Sequence, residues 1–189
     1  MLRASNKSHI PELEHPLSEL DEAWAAALSE AEKKARLAGR SEVAEYLTLK
    51  NSNDLIRRAG IDWLIDTLTT LAGEANRRGA SIQIMREDQH RFASGNSTMV
   101  GVLLKLTCGV RVLFVEVGWP RTPSDGIVRG GGLACGNIRH LGIVHANEGL
   151  LLSRTNSGAP SWAVIRKRGQ KTSLQKSDLD HHLSVLMNI

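Results

Sequence analysis

Residues 98–118 read TMVGVLLKLTCGVRVLFVEVG, and the pairing of this stretch decides the fold. Two apolar runs of period two flank Cys108-Gly109. A two-residue connection with glycine in second place suits a tight hairpin, and the turn then sets the register of the strands it joins. On this reading Leu106 faces Arg111, Leu104 faces Leu113, Val102 faces Val115 and Val100 faces Val117. The other face pairs Lys105 with Val112, Leu103 with Phe114 and Gly101 with Glu116. Both faces are apolar in their middle, so both need cover, which is more than one long helix supplies.

Upstream of the hairpin the period is helical. The clearest stripe is Ile61, Leu64, Ile65, Leu68, Leu71, Ala72 and Ala75, ending at Asn76-Arg77-Arg78-Gly79 with cations in the last turn and glycine at the exit. Extended backwards, that face would carry Lys50, Asp54 and Arg57, and Asn51-Ser52-Asn53-Asp54 interrupts it. A break or kink near Ser52 is expected, after a second helix capped by Ser41. Before that, Leu20, Trp24, Ala27, Leu28, Ala31 and Ala35 form a shallow alanine-rich stripe that stops at Gly39, with Ser18-Glu19-Leu20-Asp21 resembling a capping box.

Downstream of the hairpin, short strands are expected near 132–145, 149–154 and 161–166. A terminal helix follows from the capping signal at Ser177-Asp178 and the stripe Leu179, Leu183, Leu186, Met187. The string Asp180-His181-His182 lies inside that helix, and His182 is read as flanking its core side. Runs of helices followed by runs of strands argue an α+β fold. It comprises N-terminal helices, then an antiparallel β-meander of about five or six strands packed on a long helix, with a short C-terminal helix. The expected organisation is a loose arm over 1–16, a helical region over 17–78, and the sheet with its C-terminal helix over 79–189, forming one structural unit with the third helix.

The 189 residues suit one domain and carry a net charge of +4, divided unevenly into −2 over residues 1–80 and +6 over 81–189. Eight cations fall in 121–171 (Arg121, Arg129, Arg139, Arg154, Arg166, Lys167, Arg168, Lys171) against Asp125 and Glu148. That asymmetry favours an anionic ligand or an acidic partner. Two cysteines are too few for a disulfide framework, and no apolar run approaches the roughly 20 residues that span a bilayer, so a cytoplasmic protein with no membrane partner is expected.

Most catalytic chemistries lack their residues. Gly130-Gly131-Gly132-Leu133-Ala134-Cys135-Gly136 would need glycine at 135 to match a dinucleotide fingerprint, and no Walker-type loop occurs. Cys135, His140 and His145 are spaced by five, an odd number that sends strand neighbours to opposite faces, so no metal is expected. The same parity weakens Cys135 with His140 as a nucleophile and base. The basic run Arg166-Lys167-Arg168 would attract phosphate, but aromatics make up only 4% of the chain, and nucleic acid is disfavoured.

There remains the loop Val117–Gly132, VGWPRTPSDGIVRGGG. Its prolines limit the freedom lost on binding, its glycines allow close backbone approach, and its arginines supply planar donors. The candidate ligand-binding set is Trp119, Arg121, Arg129, Gly130, Gly131, Gly132 and His140. The leading expectation is a non-enzymatic binding or protein-interaction module that recognises an anionic small molecule or an acidic partner through residues 118–145, with no cofactor. The alternatives are a hydrolase or transferase using Arg121, Arg129, His140 and Cys135, and a nucleic-acid-binding protein. The surplus apolar surface around Leu103, Val112 and Phe114 leads to the expectation of a homodimer.

Overall fold

The computed structural model describes residues 16–188; the arm expected over 1–16 lies outside them, except for Pro16, which opens the first helix. In chain order the elements are α1 (Pro16–Leu37), α2 (Ser41–Arg77), β1 (Ile82–Ser94), β2 (Ser97–Cys108), β3 (Arg111–Trp119), β4 (Ala134–His140), β5 (Glu148–Arg154), β6 (Pro160–Ile165), β7 (Lys171–Ser173) and α3 (Lys176–Met187). The fold is α+β. Its seven strands form one sheet in the order β1-β2-β3-β4-β5-β6-β7, every neighbouring pair antiparallel. Seven strands stand where five or six were expected: β7 is only three residues long, and its three side chains are all exposed.

Contacts divide the chain into two units, Met1–Ser52 and Asn53–Ile189. In the first, Lys50 Nζ lies 5.3 Å from the centre of the Trp24 ring, and Glu32 is hydrogen-bonded to Thr48. Ser18 lies inside α1, so the capping box read at 18–21 is not the helix start.

Helix α2 is unbroken from Ser41 to Arg77, which corrects the break expected near Ser52. The polar seam stays helical because its side chains find partners. Asp54 accepts from Arg57 Nη1 at 2.7 Å, Arg57 Nε donates to the Leu133 carbonyl at 2.8 Å, and Asn53 accepts from Arg154. A half-buried cation with both hydrogen bonds made need not interrupt a helix.

The second unit is built on the β2–β3 hairpin, and its register corrects the expected one. Cys108 pairs with Arg111, Leu106 with Leu113, Leu104 with Val115 and Val102 with Val117. The loop is Gly109-Val110, not Cys108-Gly109. Only the first loop residue has positive φ (Gly109, 57°), as a type II′ turn requires, and that turn wants glycine first. Moving the turn by one residue slides the pairing by two, so the two faces keep their membership. It also replaces a Leu106–Arg111 pair by Leu106–Leu113. Arg111 instead reaches the C-terminus of α3, where it donates to the Val185 carbonyl at 2.8 Å and to Asn188 Oδ1 at 2.7 Å, satisfying acceptors that every helix end leaves open.

One face of the sheet holds Val102, Leu104, Leu106, Leu113, Val115, Val117, Ile138, Leu150, Leu152, Trp162 and Val164, all buried. The whole expected α2 stripe, Ile61 to Ala75, packs against it, and so do Leu179, Leu183 and Leu186 of α3. Both helices therefore share one face. The opposite face has a small satellite core of Phe92, Met99, Cys135 and Leu151, against which Val128 of the β3–β4 loop packs.

Gly101 and Gly118 sit opposite each other on β2 and β3. The backbones pass so close there that a Cβ on Gly101 would overlap the Val117 carbonyl oxygen, whereas a Cβ on Gly149 would meet nothing within 4 Å. Gly101→Ala is expected to lower unfolding stability by about 2–3 kcal/mol through forced strand separation, and Gly149→Ala to change it by no more than about 0.5 kcal/mol. Urea unfolding midpoints of the two variants check this; equal effects would contradict the close approach.

Candidate functional site

Strand alternation and register arrange the second face in rows. One row runs His90, Gly101, Gly118, Cys135, Leu151; the next runs Glu87, Leu103, Glu116, Asn137; the third runs Met85, Lys105, Phe114, Arg139. His90 joins this face because of a β-bulge. The β1–β2 register shifts between Asp88 and His90, and Gln89, between them, has φ 60°. A regular strand would send Glu87 and His90 to opposite faces; the extra residue brings them to the same one. A left-handed conformation at a non-glycine residue costs on the order of 1 kcal/mol.

At the centre lies Glu116, only 5% exposed. Asn137 Nδ2 donates to its Oε1 at 3.0 Å and Arg139 Nη2 to its Oε2 at 3.1 Å. His90 Nε2 lies 3.5 Å from the same Oε2, and His90 Nδ1 lies 3.3 Å from Glu87 Oε1. A carboxylate taken out of water needs such partners, and here they come from strands β1 and β4 on either side of the β2–β3 pair. Around this cluster the face presents Met85, 47% exposed, the half-buried Val112 and Phe114, and Lys105, whose Nζ stands 5.8 Å from the Phe114 ring centre.

The residues singled out from the sequence separate into three places. Trp119 is buried in the helix-side core; Arg121 stacks on it at 3.6 Å from the ring centre, and Arg57 stands 5.7 Å away. Arg129 lies over the β1–β2 turn, so close that a Cβ on Gly95 would sit 2.9 Å from its Cζ. Gly130 accepts a hydrogen bond from Lys171 Nζ at 3.0 Å, and Gly132 is wedged against Leu151. The loop itself is braced by Thr122 and Asp125, whose carboxyl is held below its usual range by hydrogen bonds from the Thr122 hydroxyl and backbone, and by the ion pair of Asp125 with Arg91. His140 stands at the far end of β4 from this loop, roughly 20 Å away at about 3.3 Å per residue. It is buried on the helix side, bonded to His182.

Cys135 and His140 occupy opposite faces of β4, so the structure does not join them. Burial pushes the Cys135 thiol up, the Glu116 charge adds to this, and a hydrogen bond with Ser94 opposes it; a raised thiol is a poor nucleophile at neutral pH. Among the described residues no group of three His, Cys, Asp or Glu side chains is placed to hold a metal, and no helix is long and apolar enough to cross a membrane. A cavity of about 440 Å³ beside Gly60, Trp63, Pro160 and Leu174 has no ionisable side chain in its lining.

The Glu116 cluster escaped the sequence reading in part. A carboxylate amid the apolar run of β3 was the available signal. His90 was not legible, because nothing about Gln89 announces a bulge. The two charged ends of the Glu116–Arg139 pair are unequally placed: the arginine side chain is 53% exposed, the glutamate 7%. Arg139→Ala leaves a buried charge short of its strongest partner and is expected to cost about 2 kcal/mol. Glu116→Gln keeps the bond from Asn137, releases an arginine that water can solvate, and is expected to cost about 1 kcal/mol. Denaturant unfolding of both variants tests that order, and the reverse order would show that Glu116 is not buried as described. No protein-family model, no curated protein and no solved structure matches this chain, so the reading of the site rests on its own residues.

Proposed function

We propose that the chain is a non-enzymatic binding module that takes an acidic, partly apolar segment of another protein on the second face of its sheet. The observation that carries this reading is the composition of that face. Met85, Val112 and Phe114 offer apolar contact beside the cations Lys105, Arg139 and Arg129. Of the two carboxylates in its middle row, Glu116 is already engaged by Asn137 and Arg139 and Glu87 lies beside His90, so they repel an incoming acid less than free carboxylates would. The loop 120–132 supports the same reading as a rim, since Val128 packs on the satellite core and Arg129 stands at its edge.

A fluorescein-labelled peptide of alternating Glu and Leu is expected to bind at micromolar concentration, about tenfold more weakly when the salt is raised from low to physiological strength. Lys105→Gln with Arg129→Gln is expected to weaken it by a further factor of about ten, with the unfolding midpoint unchanged. Equal binding of the matching Lys-Leu peptide would overturn the proposal. So would light scattering that shows a dimer dissociated by Phe114→Asp, because the face would then be occupied by a second copy of the chain.

A further inference from the structure

We infer that the buried chain Glu148–His182–His140 is an acid-released latch that holds helix α3 on the sheet. The three side chains come from three elements: His140 from the end of β4, Glu148 from the start of β5, His182 from the middle of α3. His140 Nε2 lies 3.0 Å from His182 Nδ1, and His182 Nε2 lies 3.3 Å from Glu148 Oε2. Each histidine is 4% exposed. The ring centres are 5.2 Å apart with planes at 25°. That separation is nearly the full N···N distance plus two ring radii, so the nitrogens meet head-on. A head-on pair shares a proton; it does not converge on a metal ion.

The hydrogen bonds dictate the protons. Glu148 is the acceptor of this contact, so His182 Nε2 carries hydrogen and donates to it. Neutral His182 then has a bare Nδ1, and His140 must present Nε2–H to it. The chain runs in one direction, from His140 through His182 to Glu148, and Arg166 Nη1 donates to the other Glu148 oxygen at 2.6 Å. One added proton can be accommodated on His182 if His140 changes tautomer. Two cannot, because two N–H groups would then point at each other at 3.0 Å in a dry site, and the rings must part.

The charged surroundings act on each element in a known sense. Burial lowers the affinity of His140 for a proton most, followed by His182, His181, Arg111 of β3 and His145 of the 142–147 turn, and its pKa falls to about 4. His182 is also lowered, chiefly by burial and also by His181, while Glu148 and Asp178 work in the opposite direction. Both folded values lie below the value near 6.5 of a free histidine. The docked state therefore keeps its full stability above about pH 6.5 and loses it as pH falls from there toward about 4. The helix yields before the sheet does. β4 is paired on both edges, with β3 and β5, whereas α3 is held by Leu179, Leu183, Leu186, the His182 bond and the Arg111 cap.

Hydrogen exchange, corrected for the intrinsic pH dependence, tests the latch in the full chain. Between about pH 7 and about pH 4.5 the opening equilibrium of α3 amides is expected to rise by about 50-fold, as the His140 shift implies, while β2–β4 amides stay protected. In His140→Gln the amide still donates to His182 but takes no proton, and the rise is expected to shrink to less than about tenfold. Glu148→Gln provides the independent arm should that variant fail to fold: without the carboxylate the docked His182 is harder still to protonate while the released one is unchanged, so the rise on acidification is expected to exceed that of the unaltered chain. The inference is overturned if α3 protection is independent of pH, if it falls together with the sheet, or if both variants follow the unaltered chain.

Discussion

The pairing of β2 with β3 governs the second unit, because its pleat assigns every side chain to one of two environments. Odd residues of β3 and even residues of β2 meet α2 and α3; their neighbours face the other way. Register is constrained more strongly by face membership than by any one turn. A slide of two residues was tolerated because it moved no leucine out of the core, and it gave better cross-strand partners. A slide of one would have put either Glu116 or Lys105 under α2. Once both helices take the same face, the other is left with a shallow apolar surface, a loop at one end and an ion cluster at its centre.

The protein buries ionisable groups in two contrasting ways. Glu116 receives its partners from strands of the same sheet, so the cluster moves with the sheet and fixes the positions of Asn137, Arg139 and His90. Glu148 is linked through two imidazoles to a helix that is otherwise held by leucines. The first arrangement is internal to a rigid layer. The second joins two layers, so its protonation state is coupled to whether they stay together.

What was legible in the sequence was what repeats. The α2 stripe, the two hairpin faces and the α3 stripe each recur with a fixed period; the α2 stripe, one hairpin face and Leu179, Leu183 and Leu186 of α3 are buried together, and the second hairpin face keeps the membership read for it. The misreadings involve contacts distant along the chain. Arg57 looks like a helix break in the sequence because its partner, the Leu133 carbonyl, lies 76 residues away. His140 was grouped with Arg121 and Arg129 by proximity in sequence, whereas its partner is His182, 42 residues on. Trp119, which the sequence places in the candidate ligand-binding set, is buried in the helix-side core. The parity argument separating Cys135 from His140 held because alternation along one strand is local.

The bulge at Gln89 has a consequence beyond the placement of His90. β1 is thirteen residues long and, among the described residues, pairs with a strand on one side only. A flat strand of that length at the rim of a sheet is a ready template for adding a foreign strand. The kink divides this rim into two shorter segments that are no longer collinear, and at its start Asn76 occupies the outer N–H and C=O of Ile82. Arg86, Asp88 and Arg91 place charges along what remains. The distortion that arranges one face of the sheet therefore also guards its open margin against aggregation, and a straightened β1 would lose both.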